Sequence, residues 1–149
     1  AILNGFDFVV EERDEYLKIS SAERKNENFK REILDEKKFS LLKENEEFIL
    51  SVTDKGFGKR SSSYEYRKTS RGGAGIANMQ LTERNGNEVV ASFPISDKDQ
   101  LMLVTDKGKL IRCPVNDIRI AGRQTQGVTL FNVSDGERVV SVAKLEENE

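Results

Sequence analysis

The chain has 149 residues, of which 36% are hydrophobic, and its 24 Lys and Arg nearly balance 26 Asp and Glu. It has no His and a single Cys, which excludes Ser-His-Asp and Cys-His catalysis, His-ligated zinc and internal disulfides. The lone Cys113 favours a reducing, cytoplasmic location, and no apolar run approaches the roughly 20 residues that cross a membrane.

The first 47 residues differ from the rest in pattern. Residues 1–10 are apolar, and we interpret them as a strand remnant of a preceding sheet unit; because the sequence starts at Ala1 rather than Met, we expect a longer protein. Residues 11–47 contain 21 charged side chains and no Gly or Pro, which is typical of a solvated helical insertion or a flexible linker. A partner-binding amphipathic helix is the alternative. Tyr16, Phe29, Ile33 and Leu34 are too sparse to predict a core.

An internal repeat of about fifty residues occupies the rest of the sequence. Val52-Thr53-Asp54-Lys55-Gly56 recurs 52 residues later as Val104-Thr105-Asp106-Lys107-Gly108. The same shift aligns Arg60 with Arg112 and Arg71 with Arg123, and a shift of 50 aligns Asn85-Gly86 with Asp135-Gly136. Repeats of this length are typical of propellers, solenoids and arrays.

Each copy predicts about four short strands. In the first, residues 48–52 and 57–61 predict a hairpin around Asp54-Lys55-Gly56, and residues 76–81 and 89–93 predict another around Asn85-Gly86. The second offers residues 101–104, 110–113, 128–133 and 139–145. We therefore predict an all-β fold with two four-stranded propeller blades, residues 48–95 and 96–145, before an acidic tail at 146–149.

Basic side chains cluster at equivalent places in the two copies. Residues 48–145 carry 15 basic and 10 acidic residues, and each cluster includes one acid, Glu65 or Asp117. The first cluster comprises Lys55, Lys59, Arg60, Arg67, Lys68 and Arg71. The second comprises Lys107, Lys109, Arg112, Arg119 and Arg123. Such local excesses predict a polyanionic partner, although each residue taken alone is equally compatible with an ordinary solvated charge.

The pattern of these bases favours double-stranded DNA. Lys59, Arg60 and Arg112 come after the hairpin turns, where we expect them to project from a blade edge. No aromatic residues alternate with the bases, so a single-strand stacking platform is disfavoured. An acidic protein partner is the alternative from another class. No phosphate-binding loop, metal-ligand set or acid-base pair is present, and we predict no catalytic or metal-binding residue.

Four motifs carry a resemblance to a known family. They are Gly56-Phe57-Gly58-Lys59-Arg60, Ser70-Arg71-Gly72-Gly73-Ala74-Gly75-Ile76, Thr82-Glu83-Arg84-Asn85-Gly86 and Gly122-Arg123-Gln124-Thr125-Gln126-Gly127-Val128. In order and spacing they resemble the last two blades of the C-terminal domain of the DNA gyrase A subunit, across residues 48–145. The resemblance implies a six-bladed β-pinwheel whose basic rim wraps duplex DNA.

The resemblance also implies a parent enzyme. That enzyme is a type II topoisomerase that uses ATP and Mg to introduce negative supercoils, whereas this part needs no cofactor. The implied partners are double-stranded DNA, the remaining blades and N-terminal region of the A subunit, and the B subunit.

One departure limits the likeness. Residues 69–75 lack the Gln and two of the bases of the family's Gln-Arg-Arg-Gly-Gly-Arg/Lys-Gly box. We therefore expect weaker DNA contact there, and the corresponding domain of topoisomerase IV is the alternative assignment.

Overall fold

A computed structural model describes residues 8–146, which divide into a helical unit that ends at Glu46 and a sheet unit that starts at Glu47. The proposed strand remnant at residues 1–10 lies mostly outside the described residues, and its last residue, Val10, begins a helix. Residues 147–149 of the acidic tail also lie outside the described residues.

The helical unit contains α1 (Val10–Arg24) and α2 (Glu36–Glu44). It has a small core, so the expectation that its apolar residues are too sparse was wrong. Buried side chains from both helices and their connection form it: Tyr16, Ile19, Ala22, Leu34, Phe39 and Leu42. No helix between residues 8 and 146 combines the length and apolar character needed to cross a membrane.

The connection between the two helices is fixed by Glu15. Its carboxylate accepts the backbone N–H groups of Glu32 at 2.6 Å, Ile33 at 3.0 Å and Leu34 at 2.6 Å. Burial alone would raise the pKa of Glu15, but these three donors outweigh it and lower that pKa. The ordered connection buries Leu34 and leaves Ile33 exposed.

The sheet unit contains seven strands within its described residues. They are β1 (Phe48–Thr53), β2 (Phe57–Ser62), β3 (Val89–Ile95), β4 (Gln100–Thr105), β5 (Leu110–Pro114), β6 (Val128–Thr129) and β7 (Val139–Leu145). One sheet has the order β3-β1-β2-β6 and the other has the order β5-β4-β7, with antiparallel neighbours throughout.

The two predicted Asp-Lys-Gly hairpins are confirmed. β1 pairs with β2 and β4 pairs with β5, with Leu50 opposite Arg60 and Met102 opposite Arg112. Gly56 closes the first turn with a φ of 77°, a region that L side chains rarely adopt. A Cβ there would also lie 2.3 Å from the Phe131 carbonyl oxygen, so close approach of the chain demands glycine.

The second predicted hairpin of the first copy is wrong. Residues 76–81 form no strand, and β3 pairs with β1 instead. Asn85 organises the preceding turn locally: its side-chain oxygen accepts the Thr82 N–H at 2.7 Å, and its amide donates to the Gln80 carbonyl at 2.8 Å. The segment therefore takes an irregular path held by side-chain hydrogen bonds.

The fourth strand of the first sheet comes from the second copy. Val128 in β6 pairs with Gly58 in β2, so the second copy completes the first sheet. The second sheet has three strands in the described residues, and β5 lies at its edge. The position beside β5 that corresponds to β6 is therefore open within residues 8–146.

Both sheets contribute to one hydrophobic core. Its buried members are Leu50, Val52, Ile95, Leu101, Leu103, Val115, Ile118 and Val139. Burying a Leu or Val side chain contributes about 1.5–3 kcal/mol to stability, so this shared core joins the two sheets. The fold-class prediction is confirmed: the chain consists mainly of antiparallel propeller-type sheets, with the helical alternative realised in the charged segment.

Candidate nucleic-acid interface

The eleven predicted DNA-binding residues fall into three groups by exposure. Seven are exposed: Arg67, Lys68, Arg71, Lys107, Lys109, Arg112 and Arg119. Lys55 and Arg123 are half-buried, and Lys59 and Arg60 are buried. The structure therefore does not present all of the predicted DNA-binding bases to solvent.

Lys59 does not project from a blade edge, and that prediction was wrong. Its side chain is 0% exposed. The ammonium donates to the carbonyl oxygens of Gly122 at 2.8 Å, Arg123 at 2.5 Å and Thr125 at 3.4 Å. Burial lowers the pKa of Lys59 to about 8, with nearby Glu65 opposing that shift and Arg123 adding to it. Lys59 therefore holds the second copy's loop rather than facing a ligand.

Arg60 is also buried, contrary to the expectation of an exposed edge position. Its Nε donates to the Ile118 carbonyl at 2.7 Å, and Nη1 pairs with the Asp97 carboxylate. Its backbone carbonyl accepts the Ala121 N–H at 2.8 Å. Residues 116–121 of the second copy cover β2. The guanidinium of Arg60 therefore links the two copies instead of facing solvent.

The turn of the second copy presents exposed bases. Lys107 Nζ donates to the Asp135 carbonyl at 3.2 Å, and Lys109 Nζ pairs with Glu137 at 2.9 Å. The Thr105 hydroxyl, then Lys109 and the Ser134 N–H, lower the pKa of Glu137 to about 2. Lys55 occupies the equivalent turn of the first copy, and its ammonium donates to the Glu83 carbonyl.

A Gly-rich basic loop lies after β2. Arg67, Lys68 and Arg71 are exposed there, and a Cβ placed at Gly72 or Gly75 would meet no other atom within 4 Å. The outer side of this loop is therefore open to the approach of a large ligand. Both glycines have positive φ, of 80° and 79°, so the turn geometry also requires them.

The equivalent loop of the second copy lies next to the first. Arg123 Nη1 donates to the Ala77 carbonyl at 2.5 Å, and the Gln80 N–H donates to the Thr125 carbonyl at 3.1 Å. Gly127 has a φ of 74°, and a Cβ there would lie 2.8 Å from the Gly58 carbonyl oxygen. The repeat thus places its two Gly-rich loops side by side.

Arg112 and Arg119 are exposed in different settings. Arg112 lies on edge strand β5, where its Nε donates to the Gln100 side chain. Arg119 is the first residue of the Gly-rich loop of the second copy, and its carbonyl accepts the Arg60 N–H at 3.0 Å. The backbone of Arg119 is therefore fixed, whereas its side chain remains exposed.

Sequence reasoning missed the role of Glu65, which it treated only as the single acid in a basic cluster. Glu65 Oε2 accepts the Arg123 N–H at 2.6 Å. A lone acid among bases is a local signal for such a contact, but its partner lies in the other copy. Within residues 8–146, no group of three or more Cys, Asp and Glu side chains is arranged to hold a metal ion.

Comparisons with known proteins agree with the repeat. The family model described as DNA gyrase C-terminal domain, β-propeller, matches residues 47–96 and 99–146. The DNA gyrase A subunit of Rickettsia bellii (strain RML369-C) is 48% identical over 99% of this chain and 17% of its own length. The Granulibacter bethesdensis counterpart is 42% identical over 100% of this chain and 18% of its own length. The chain therefore spans less than a fifth of these curated relatives.

Solved structures show the same architecture. A DNA gyrase A C-terminal domain gives a TM-score of 0.60 at 24% identity, over 65% of this chain and 33% of that one, which is a likeness of fold. A topoisomerase IV C-terminal domain gives a TM-score of 0.61 at 27% identity, over 67% of this chain and 31% of that one.

Proposed function

Because the chain belongs to the DNA gyrase C-terminal domain family of β-propellers, we propose that it binds the phosphate backbone of duplex DNA and contributes to wrapping it. The observation that carries the proposal is the adjacency of the two Gly-rich loops, which join through Arg123 and Ala77. These two loops carry exposed or half-buried bases, Arg67, Lys68, Arg71 and Arg123, on segments that contact each other.

The proposed contacts use charge rather than base sequence. A duplex carries about one negative charge per 1.7 Å of its axis, and cations that neutralise phosphates release condensed counterions. Such contacts position DNA but do not read bases. We assign the phosphate contacts to the exposed or half-buried bases: Lys55, Arg67, Lys68, Arg71, Lys107, Lys109, Arg112, Arg119 and Arg123. Lys59 and Arg60 are left out because both are buried and their donors bind carbonyl and carboxylate groups within the chain.

Wrapping requires more surface than this chain provides. Bending 20–30 base pairs by 40–90° costs on the order of 1–6 kcal/mol, which a few phosphate contacts offset only in part. We propose that the remaining blades supply the rest, as part of a cytoplasmic gyrase A subunit that acts with the B subunit. Strand cleavage and the use of ATP and Mg belong, in this proposal, to other parts of that enzyme.

A salt titration tests this proposal. Fluorescence anisotropy of the 149-residue chain with a duplex of about 40 base pairs should give an affinity that falls steeply as the salt concentration rises. Neutralising Arg67, Lys68 and Arg71 to Gln should lower the slope of log affinity against log salt by about 2.7, or 0.9 per phosphate contact.

A matched control uses exposed bases of the helical unit. Lys25, Lys30 and Lys37 are exposed, and their triple Gln variant removes the same charge. We expect its salt slope to match that of the wild type. Equal loss of slope in both triple variants would indicate a nonspecific charge effect and contradict the proposed interface.

A further inference from the structure

We propose that Lys59 and Glu65 are positioning residues that hold Arg123 ready for contact with DNA phosphates. This inference rests on the proposed function but assigns a role to two residues that do not themselves contact DNA. The backbone of Arg123 is held at both of its polar groups by the first copy.

The two contacts act on opposite sides of one residue. The N–H of Arg123 donates to Glu65 Oε2 at 2.6 Å, and the carbonyl of Arg123 accepts Lys59 Nζ at 2.5 Å. The same ammonium donates to the carbonyls of Gly122 and Thr125. Both ends of the residue are thus fixed, together with the loop on either side of it.

The Arg123 side chain is also directed by the structure. Its Nη1 donates to the Ala77 carbonyl at 2.5 Å, and the residue is half-buried. A guanidinium has five N–H donors in a rigid fork, so one contact leaves donors for a phosphate. Fixing the fork beforehand reduces the side-chain entropy that is lost when a ligand binds.

The second copy has a nonpolar residue at the position equivalent to Lys59. Ile111 is its equivalent at a shift of 52, on an edge strand that no further loop covers within the described residues. An aliphatic side chain fills space without the cost of burying an ammonium group. What the ammonium of Lys59 adds is three hydrogen bonds to the loop that carries Arg123.

Lys59 cannot act on DNA directly. It is 0% exposed and its bonds end on carbonyl groups, so its removal can change DNA affinity only indirectly, through the loop or through a loss of stability. Glu65 carries a negative charge, which would repel phosphates if it acted directly. Removing Glu65 should therefore weaken binding if it positions Arg123, and strengthen binding if it acts only as a charge.

A double-mutant cycle on the 149-residue chain tests the proposal. The variants are Lys59→Met, Arg123→Gln and their combination. Their affinities are measured by anisotropy with the same duplex as in the salt titration. Arg123→Gln should lower affinity about tenfold, because it removes one charged hydrogen bond. Lys59→Met should cause a similar loss, and the double variant should lose little more, since residues that act through one another are not additive.

The salt slope separates positioning from general destabilisation. Each single variant should lower the slope by about 0.9, the value for one phosphate contact, and the double variant by no more. Glu65→Ala tests the other contact that holds Arg123. Because Glu65 is half-buried, this variant does not require a buried ammonium group to be replaced. It should also weaken binding and lower the slope.

The outcomes distinguish this inference from the proposed function. Additive losses for Lys59→Met and Arg123→Gln, or an unchanged slope in both Lys59→Met and Glu65→Ala, would overturn the positioning role while duplex binding stands. An Arg123→Gln variant that binds like the wild type would overturn it as well. Absence of duplex binding by the wild type would instead overturn the proposed function.

Discussion

The two copies of the repeat carry bases at equivalent positions but use them differently. Arg60 is buried against residues 116–121, whereas its equivalent Arg112 is exposed on an edge strand. Gly58 lies beneath Leu130, whereas its equivalent Leu110 is 67% exposed. The difference arises because the second copy covers β2 and no described segment covers β5. A basic residue in such a repeat thus becomes structural or available according to whether another segment packs over its strand.

The largest expected difference in stability is between variants of the equivalent residues Arg60 and Arg112. Arg60→Ala should destabilise the chain by about 3 kcal/mol, because buried carbonyls lose their charged donor. Arg112→Ala should change stability by less than about 0.5 kcal/mol, as for other exposed positions. Urea unfolding followed by circular dichroism measures both, and similar losses for the two variants would contradict the comparison.

A smaller effect is expected at the paired strand positions. A Cβ at Gly58 would lie 2.4 Å from Leu130 Cδ1 and 3.1 Å from the Ser51 carbonyl oxygen. Gly58→Ala should therefore cost about 1–3 kcal/mol through overpacking. Leu110→Ala is the matched change in the second copy and should be nearly neutral. A stabilising Gly58→Ala change in the same unfolding assay would show that Leu130 does not pack against Gly58.

Some of this architecture is encoded in local sequence, and some is not. The Asp54-Lys55-Gly56 turn was predictable because its residues determine a tight reversal between two apolar strands. The burial of Lys59 and the pairing of β6 were not, because they depend on segments 63 and 70 residues further along the chain. The interface is divided in the same way: repeated bases predicted a polyanion site, but neighbouring chain segments determine which bases remain exposed.

The helical unit also has features that local sequence predicts and features that it does not. Its charge content indicated a helix or a linker, and two helices form. Its core was missed because Tyr16 and Phe39 are far apart in sequence, although their rings lie 5.2 Å apart. Long-range packing of a few apolar residues leaves little trace in local composition.

Lys59 should also give the first copy a dependence of stability on alkaline pH. Its folded-state pKa of about 8 lies below the usual 10.5, so above pH 8 the unfolded chain binds more protons at this site. The free energy of unfolding should therefore increase through this residue as pH rises from 8 towards 10.5. This added stability should disappear as pH falls through 8. Urea unfolding at pH 7.5, 8.5 and 9.5, values that bracket a pKa of about 8, should show a flatter profile for Lys59→Met than for the wild type. Identical profiles would show that the ammonium is not buried.

Glu137 should give the second copy an acid dependence of stability with no counterpart at the aligned position of the first copy, where the residue is Asn87. Its folded-state pKa of about 2 lies below the usual 4.5. Its contribution to stability should be complete above pH 4.5 and should decline as pH falls towards 2. Glu137→Gln should reduce the loss of stability between about pH 5 and 3, a range that spans its usual pKa, in thermal unfolding. An equally steep loss of stability in the variant would show that Glu137 does not cause the acid dependence.

Hydrogen exchange with and without duplex DNA tests the proposed interface most directly. We predict that DNA slows exchange in both Gly-rich loops, residues 67–77 and 119–127, and leaves the helical unit unchanged. The backbone N–H of Arg60, already bonded to the Arg119 carbonyl, should be protected with or without DNA. Protection confined to the helical unit, or to only one of the two loops, would contradict the claim that the adjacent loops form one DNA-binding surface.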